Sequence, residues 1–429
     1  IRDRRKDRSE LTLEKERCFL VAAIVPGRYA AHEDPIAEIA SLVEAAGGMV
    51  VGSLTQRLLR PHPKTYVGSG KFDELSAAVA AAAAETLVVD DSLSGKQIEA
   101  LESGCRCKVI DRSEVILDIF ASRARSYQAK LQVELAQLRY QLPRQVRRWT
   151  HLERLGGGIG TRGPGESQLE SDRRMIRKKI RALEWELKEI EARKAREVCG
   201  RSEFFTACLV GYTNAGKSSL LNRLTGADAI VADRLFSTLD TLTRKLDMPD
   251  APPILISDTV GFIRRLPHHL VASFHATLEE AAQADLLLHV VDAADLLARQ
   301  RIEAVETTLA DLGMEKKDRI TLFNKWDAVK DAAAAEALLK LCQPALPVSA
   351  RTGYGIDSFL AVLREKTLAG SCETRLRFSA ADGKRLALVQ EAALVREVRY
   401  EGEEVEVKAV LPPLFLHRLR QLPGEMQVG

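Results

Sequence analysis

Apolar and polar positions change period along this chain, and the changes mark its parts. In residues 18–112 short apolar runs alternate with helical patterns. CFLVAAIV (18–25), MVVGSL (49–54), TLVVD (86–90) and CKVID (107–111) read as strands. Between them, residues 33–47 read as a helix closed by Gly47, and residues 71–85 and 94–104 as two more. This alternation predicts a small α/β domain. From 113 to 200 the period is that of long helices. Phe120, Ala124, Tyr127, Leu131, Leu135, Leu138 and Leu142 recur at steps of three and four. So do Ile176, Ile180, Leu183, Leu187 and Ile190, after Leu169. Two such seams around a break, GGGIGTRGPGES (156–167), predict an antiparallel coiled-coil hairpin with a glycine-rich tip. Arms of about 30 residues would reach roughly 45 Å at about 1.5 Å per residue. Residues 201–370 return to α/β, with strands at TACLV, PPILIS, LLLHVVD, ITLF and LPVSA. Residues 371–429 read strand, helix, strand, strand and a terminal helix, LFLHRLRQL, as a small α+β domain. The expected architecture is therefore α/β and multidomain, with a charged tail over residues 1–17.

Composition adds little until it is localised. The chain has 429 residues and a net charge of +3, with 46% hydrophobic and 29% charged residues, which suits a soluble protein of two to four domains. No run of about 18 apolar residues predicts a membrane helix. The first 17 residues are charged and do not read as a secretory signal. The seven cysteines, at 18, 105, 107, 199, 208, 342 and 372, form no C-x-x-C pair and read as reduced thiols of a cytoplasmic protein. Segment 123–197 is different: it holds 19 Lys/Arg against 10 Asp/Glu, a local +9. Such a segment suits a polyanion, or else is a solvated helical face.

The chemistry lies in the fourth part. TACLV runs into Gly211-Tyr212-Thr213-Asn214-Ala215-Gly216-Lys217-Ser218 and the helical SLLNRL, which begins at Ser219. This is G-x-x-x-x-G-K-[ST] between a strand and a helix, so the mostly parallel sheet is that of a P-loop domain. Backbone N–H groups of such a loop wrap phosphates, Lys217 reaches the β- and γ-phosphates, and Ser218 is a Mg²⁺ ligand. PPILIS leads into Asp258-Thr259-Val260-Gly261. There Asp258 supports Mg²⁺ indirectly and the Gly261 N–H meets the γ-phosphate. ITLF ends in Asn324-Lys325-Trp326-Asp327. The Asp327 carboxylate accepts from N1–H and N2–H₂ of guanine, a donor pair adenine lacks. Asn324 braces the loop and the Lys325 stem packs along the base. Ser349-Ala350-Arg351 follows, with the Ala350 N–H set to donate to guanine O6. These residues, with Phe236 before the switch, form the expected GTP site. Thr238, Thr241 and Thr243 each qualify by position as the switch threonine on Mg²⁺. Phe262 stands where many small GTPases carry a water-orienting Gln, so basal hydrolysis is expected to be slow. Val67-Gly68-Ser69-Gly70-Lys71 lacks full P-loop spacing and reads as a turn into a helix.

The chain resembles the HflX family of translation-associated GTPases, within the Obg–HflX class. GYTNAGKSS, LFSTLD, DTVGFIRRLPHHLVASFHATLEE and NKWD carry the resemblance. HPKTYVGSGK, VIDRSEVILDIFASRA, KLQVELAQLRY and GGGIGTRGPGESQLESDRR extend it outside the P-loop domain, over roughly residues 20 to 370. It implies GTP hydrolysis stimulated by the large ribosomal subunit, and rescue of stalled or idle ribosomes by subunit splitting. In the family's switch pattern the Mg²⁺ threonine precedes Leu-Asp, which selects Thr238; Lys217, Thr238 and Gly261 then form the expected catalytic set. Ser219 and Thr241 depart from the family's usual Thr and Pro, and Thr241 leaves φ of the switch turn unfixed. Asn214 resembles the P-loop asparagine of potassium-stimulated GTPases, a candidate K⁺ ligand. With the ribosome as partner, the hairpin tip becomes the expected rRNA contact, through Arg144, Arg147, Arg148, Arg154, Gly157, Gly158 and Arg162. Trp149 and His151 add stacking surfaces. Nothing in the sequence demands a dimer.

Overall fold

The computed structural model describes residues 15–29, 33–144, 164–198, 204–226, 236, 241–265, 280–422 and 424–429. These form two compact units that divide after Ser122. The first is the expected α/β domain. Strands β1 (Arg17–Ile24), β2 (Met49–Arg57), β3 (Thr86–Val89) and β4 (Lys108–Asp111) make a parallel sheet in the order β2-β1-β3-β4. Helices α1 (Ala37–Ala46), α2 (Ser69–Ala81), α3 (Gly95–Cys105) and α4 (Arg112–Arg123) connect and follow them. Leu75, Leu87, Val89 and Leu101 are fully or almost fully withdrawn from solvent in its core. α1 ends, as its sequence predicts, on Gly47 in the left-handed conformation, φ 96°. The Val67–Lys71 turn also forms as read. Gly68 caps α2, its N–H donates to Gln56 Oε1 at 2.9 Å, and Lys71 pairs with Glu74 at 2.7 Å.

In the second unit, α5 (Tyr127–Gln141) packs against α6 (Pro164–Val198) through Leu131, Leu135, Ile180, Leu183 and Leu187. Tyr127 donates to Glu186 at 2.5 Å and Lys179 pairs with Glu134, so the helices run antiparallel. The seam differs from expectation at both ends. Phe120, Ala124 and the exposed Tyr127 do not join its apolar packing. α4 stops at Arg123 and Ser126 starts a new helix, its Oγ accepting from the Ala129 N–H at 3.1 Å. At the far end the glycine-rich break is shorter than it reads, because α6 begins at Pro164, a residue with no N–H to lose at a first helical turn.

The P-loop domain holds a six-stranded sheet, β10-β9-β8-β5-β7-β6. Its strands are β5 (Phe205–Gly211), β6 (Leu242–Leu246), β7 (Ile254–Asp258), β8 (Leu286–Asp292), β9 (Arg319–Asn324) and β10 (Ala345–Pro347). All neighbours pair in parallel except β6, an antiparallel edge strand absent from the sequence reading. β6 carries Thr243, whose hydroxyl meets that of Ser257 at 2.9 Å. Helices α7 (Lys217–Thr225), α8 (Ala298–Asp311), α9 (Ala332–Leu341) and α10 (Ile356–Ala369) accompany the sheet. Leu209, Leu220, Ile254, Leu288, Leu322 and Phe359 lie in its core, each with no solvent exposure.

The last residues form an antiparallel sheet, β12-β13-β11-β14, from β11 (Cys372–Ser379), β12 (Leu394–Glu401), β13 (Glu404–Leu411) and β14 (Met426–Val428). The sequence reading missed β14, three residues too short to show a period. The predicted helix KRLALVQEAAL (384–394) also overran α11 (Gly383–Ala392) by two residues, the second of which, Leu394, opens β12. Arg385, 1% exposed, explains β14: its guanidinium donates to the carbonyls of Leu422, Gly424 and Glu425 and fixes the terminal segment.

Candidate functional site

The candidate site lies at the carboxyl ends of β5, β7, β8 and β9, where an open α/β sheet places its ligands. Close backbone approach sets its glycines. Gly211 has φ 150°, and a Cβ there would lie 2.2 Å from the Val290 carbonyl oxygen on β8. Gly216, at φ 91°, would place a Cβ 2.2 Å from Asn324 Nδ2. Asn214 between them is left-handed at φ 61° and exposed. Ser219 is half-buried on α7, and Ala215 and Thr213 are buried.

Lys217 donates to the carbonyls of Gly211 at 3.2 Å and Tyr212 at 3.0 Å. Burial pulls its ammonium down to about 8, against the opposing pull of Asp258. Ser218, at the start of α7, donates to Asp258 Oδ2 at 2.5 Å. Thr259 and Val260 are buried, and the Thr259 hydroxyl donates to the Leu209 carbonyl at 2.7 Å. The loop carrying Gly261 is zipped onto the P-loop. The Thr213 N–H donates to the Phe262 carbonyl at 2.8 Å and the Phe262 N–H to that of Gly211 at 3.0 Å. Tyr212 adds a side-chain link: its hydroxyl accepts from the Arg264 N–H at 3.0 Å, and Arg301 stacks 4.9 Å over its ring. Phe262 itself is buried at 3% exposure.

Opposite, Asn324 ties two loops together. Its Nδ2 donates to the Ala215 carbonyl at 2.9 Å and its Oδ1 accepts from the Ala350 N–H at 3.0 Å. Lys325 is left-handed at φ 59° and pairs with Asp292 at 2.7 Å. Asp327 accepts from the Ser349 hydroxyl and meets Arg351, each at 2.5 Å. The Ser349 hydrogen bond, then Arg351, hold its carboxyl below the usual range. Sequence reasoning missed Asp292, although its place at the end of LLLHVVD was a usable signal. The pairing needs the β8–β9 register, which sets Asp292 opposite Asn324.

Of the remaining expected residues, Phe236 is buried and left-handed at φ 55°. Thr241 donates to Glu280 Oε1 at 3.0 Å. Thr238, Arg147, Arg148, Arg154, Gly157, Gly158, Arg162, Trp149 and His151 lie outside the described residues. Arg144 stacks 3.5 Å over the Tyr140 ring at the end of α5.

Three family profiles match in sequence order: "GTP-binding GTPase N-terminal" over residues 33–121, "GTP-binding GTPase Middle Region" over 123–201 and "50S ribosome-binding GTPase" over 206–325. "GTPase HflX" of Caldanaerobacter subterraneus is 41% identical over 413 residues, covering 96% of this chain and 94% of the relative. That of Escherichia coli is 42% identical over 393 residues, covering 90% and 92%. The chain belongs to the HflX family of GTPases. The likeness runs well past the motifs, through the helix pair and into the C-terminal sheet. HflX membership makes the chain a GTP-binding hydrolase and brings with it the Mg²⁺ typical of such enzymes. The donors present fit that ion: the hydroxyl of Ser218 and the carboxylate of Asp258 are hard oxygens side by side at a helix start. Among the described residues no group of three or more His, Cys, Asp or Glu gathers to hold a metal. Nucleotide oxygens and water would therefore complete the shell, as Mg²⁺ in phosphate sites requires. Among the described residues, no helix is long and apolar enough to cross a membrane.

Proposed function

We propose that this HflX-family chain is a cytoplasmic GTPase that binds the large ribosomal subunit, uses GTP binding to separate the subunits of stalled or idle ribosomes, and hydrolyses GTP when the ribosome stimulates it. The observation that supports it best is the union, in one compact unit, of a guanine-nucleotide site with a helix pair from a strongly basic segment. The name of the family matched over 206–325 agrees.

On this reading the P-loop N–H groups from Tyr212 to Ser219 and the Lys217 ammonium hold the phosphates. Asn324 holds the P-loop and base loops at fixed separation. Asp327 reads N1–H and N2–H₂, the Lys325 stem and Arg351 flank the base, and the Ala350 N–H, which donates to Asn324 Oδ1 in this structure, would turn to O6 when the base is bound. Ser218 and Thr238 would ligate Mg²⁺, with Asp258 orienting from behind; the ion supplies charge neutralisation at the phosphates. The Gly261 N–H is the donor for the γ-phosphate. Phe262 carries no group to align water, so the partner supplies the missing contribution. The zip between Gly211–Thr213 and Phe262 holds the loop of Gly261 against the P-loop, which couples nucleotide state to the loop that follows.

The test is light scattering of intact ribosomes with the protein and GTP or a non-hydrolysable analogue. Splitting with the analogue is expected. Retention without splitting would favour a GTP-gated RNA remodeller or a large-subunit assembly factor. A hydrolysis rate unmoved by large subunits would overturn the ribosomal reading. For the tip, Arg147→Glu with Arg148→Glu is expected to abolish co-sedimentation with ribosomes and to leave GDP affinity within about twofold. Undiminished co-sedimentation would remove the tip from the interface.

A further inference from the structure

The outer face of α6 carries a second pattern beneath the seam that packs it on α5. Arg174, Lys178, Arg181, Trp185 and Lys188 follow one another at steps of four, three, four and three, and all five are exposed. Each stands two residues before a member of the seam (Ile176, Ile180, Leu183, Leu187, Ile190). Two residues are about 200° of helix rotation, so the row lies diametrically opposite the packed face. It runs for about 21 Å.

Two contrasts separate this row from an ordinary solvated face. The charges flanking the seam are engaged across the pair: Lys179 with Glu134, and Glu184 with Arg139 at 2.7 Å. The four cations of the outer row take no salt-bridge partner among the described residues. The acidic neighbours of the row are Glu189, next to Lys188, and the exposed Glu170, one turn before Arg174. The second contrast is Trp185, 63% exposed in the middle of the row. An indole left in water with cations one turn before and after it offers a stacking platform inside an electrostatic track. That is the arrangement that binds single-stranded nucleic acid without base-specific contacts. A merely soluble helix gains nothing from the tryptophan, and an acidic protein partner gains little from it.

We propose that the outer face of α6 is a docking track for an unpaired RNA strand, with phosphates on Arg174, Lys178, Arg181 and Lys188 and a base stacked on Trp185. This extends the RNA-contact reading from the tip of the helix pair to its shaft, and it needs no ribosome.

The test uses the full chain and a fluorescently labelled unstructured 12-nucleotide RNA, followed by anisotropy across a salt series. Trp185→Ala is expected to weaken binding about tenfold, and Trp185→Phe to retain most of it. Arg181→Glu with Lys188→Glu should flatten the log affinity against log salt slope by about 1.4, two phosphate contacts' worth for a single strand. GDP affinity and melting temperature should stay unchanged in all three variants. Trp185→Ala binding within twofold of the native chain would overturn the track. So would displacement by polyglutamate as effective as by polyuridylate, which would assign the face to an acidic protein. If Trp185→Ala binds RNA normally while the Arg147→Glu, Arg148→Glu chain loses ribosomes, the track falls and the ribosomal function stands. If Trp185→Ala loses RNA but the native chain neither binds nor splits ribosomes, the track stands and the ribosomal function falls.

Discussion

Asp327→Asn is expected to cost this protein roughly 10² to 10⁴ in guanine-nucleotide affinity and to shift its preference to xanthine nucleotides. Two hydrogen bonds to a carboxylate, at about 1.5–3 kcal/mol each, set that range. An asparagine oxygen still accepts from N1–H, but its amide NH₂ then faces the N2–H₂ of guanine, donor against donor. Xanthine has an oxygen there, which the amide satisfies. The fold should be indifferent to the change. The ion pair lost is with Arg351, whose side chain is 80% exposed, and such pairs contribute little. The hydrogen bond from Ser349 persists to the amide oxygen. Titration with fluorescent GDP and XDP measures the shift, and an unchanged GDP affinity would remove Asp327 from the base site.

That residue was legible because its motif is contiguous. Four residues of one loop, NKWD after an apolar strand, state the chemistry without any knowledge of what lies across the sheet. The same holds for the P-loop, where each glycine's necessity is set by neighbours the sequence does not name. Val290 crowds Gly211 and Asn324 crowds Gly216 from strands about 80 and 110 residues away. What stayed hidden depended on register or on competition. Asp292 meets Lys325 only because β8 and β9 align Asp292 with Asn324. The edge strand β6 was lost because LTRKL alternates weakly and its pairing with β7 is a choice made by the sheet. The helix break after Arg123 was masked by a period of three and four that continued across it; a local hydrogen bond from the Ala129 N–H to Ser126 Oγ won over that periodicity. The seam of α6 was read correctly as a period. The same period two residues earlier carried the cationic row, which a charge count over 123–197 registers only as a sum.

Gly261→Ala should cripple hydrolysis with a single methyl. A Cβ at that position would lie 2.8 Å from Lys217 Nζ, 2.8 Å from Thr213 Cα and 2.9 Å from Thr213 Cγ2. The lysine end can swing away, but Thr213 Cα is P-loop backbone, fixed by its own N–H bond to the Phe262 carbonyl. Either the P-loop or the Gly261 loop has to retreat. Both are placed to face the γ-phosphate, so the donor at residue 261 moves off its mark. Displacement of about 1 Å, or loss of one well-aimed backbone donor, costs on the order of 10² to 10³ in rate. GTP hydrolysis, basal and partner-stimulated, is therefore expected to drop at least about a hundredfold. GDP makes no use of this donor, and the base loops around Asn324 and Asp327 are untouched, so GDP affinity should change by less than about threefold. Gly383→Ala is the matched control, because a Cβ there meets nothing within 4 Å and the chain opens a helix at that point. Single-turnover hydrolysis alongside GDP titration separates the two effects. If Gly261→Ala hydrolyses GTP at the native rate, the loop after Asp258 does not approach the P-loop during the reaction, and the coupling assigned to the Gly211–Phe262 zip is lost with it.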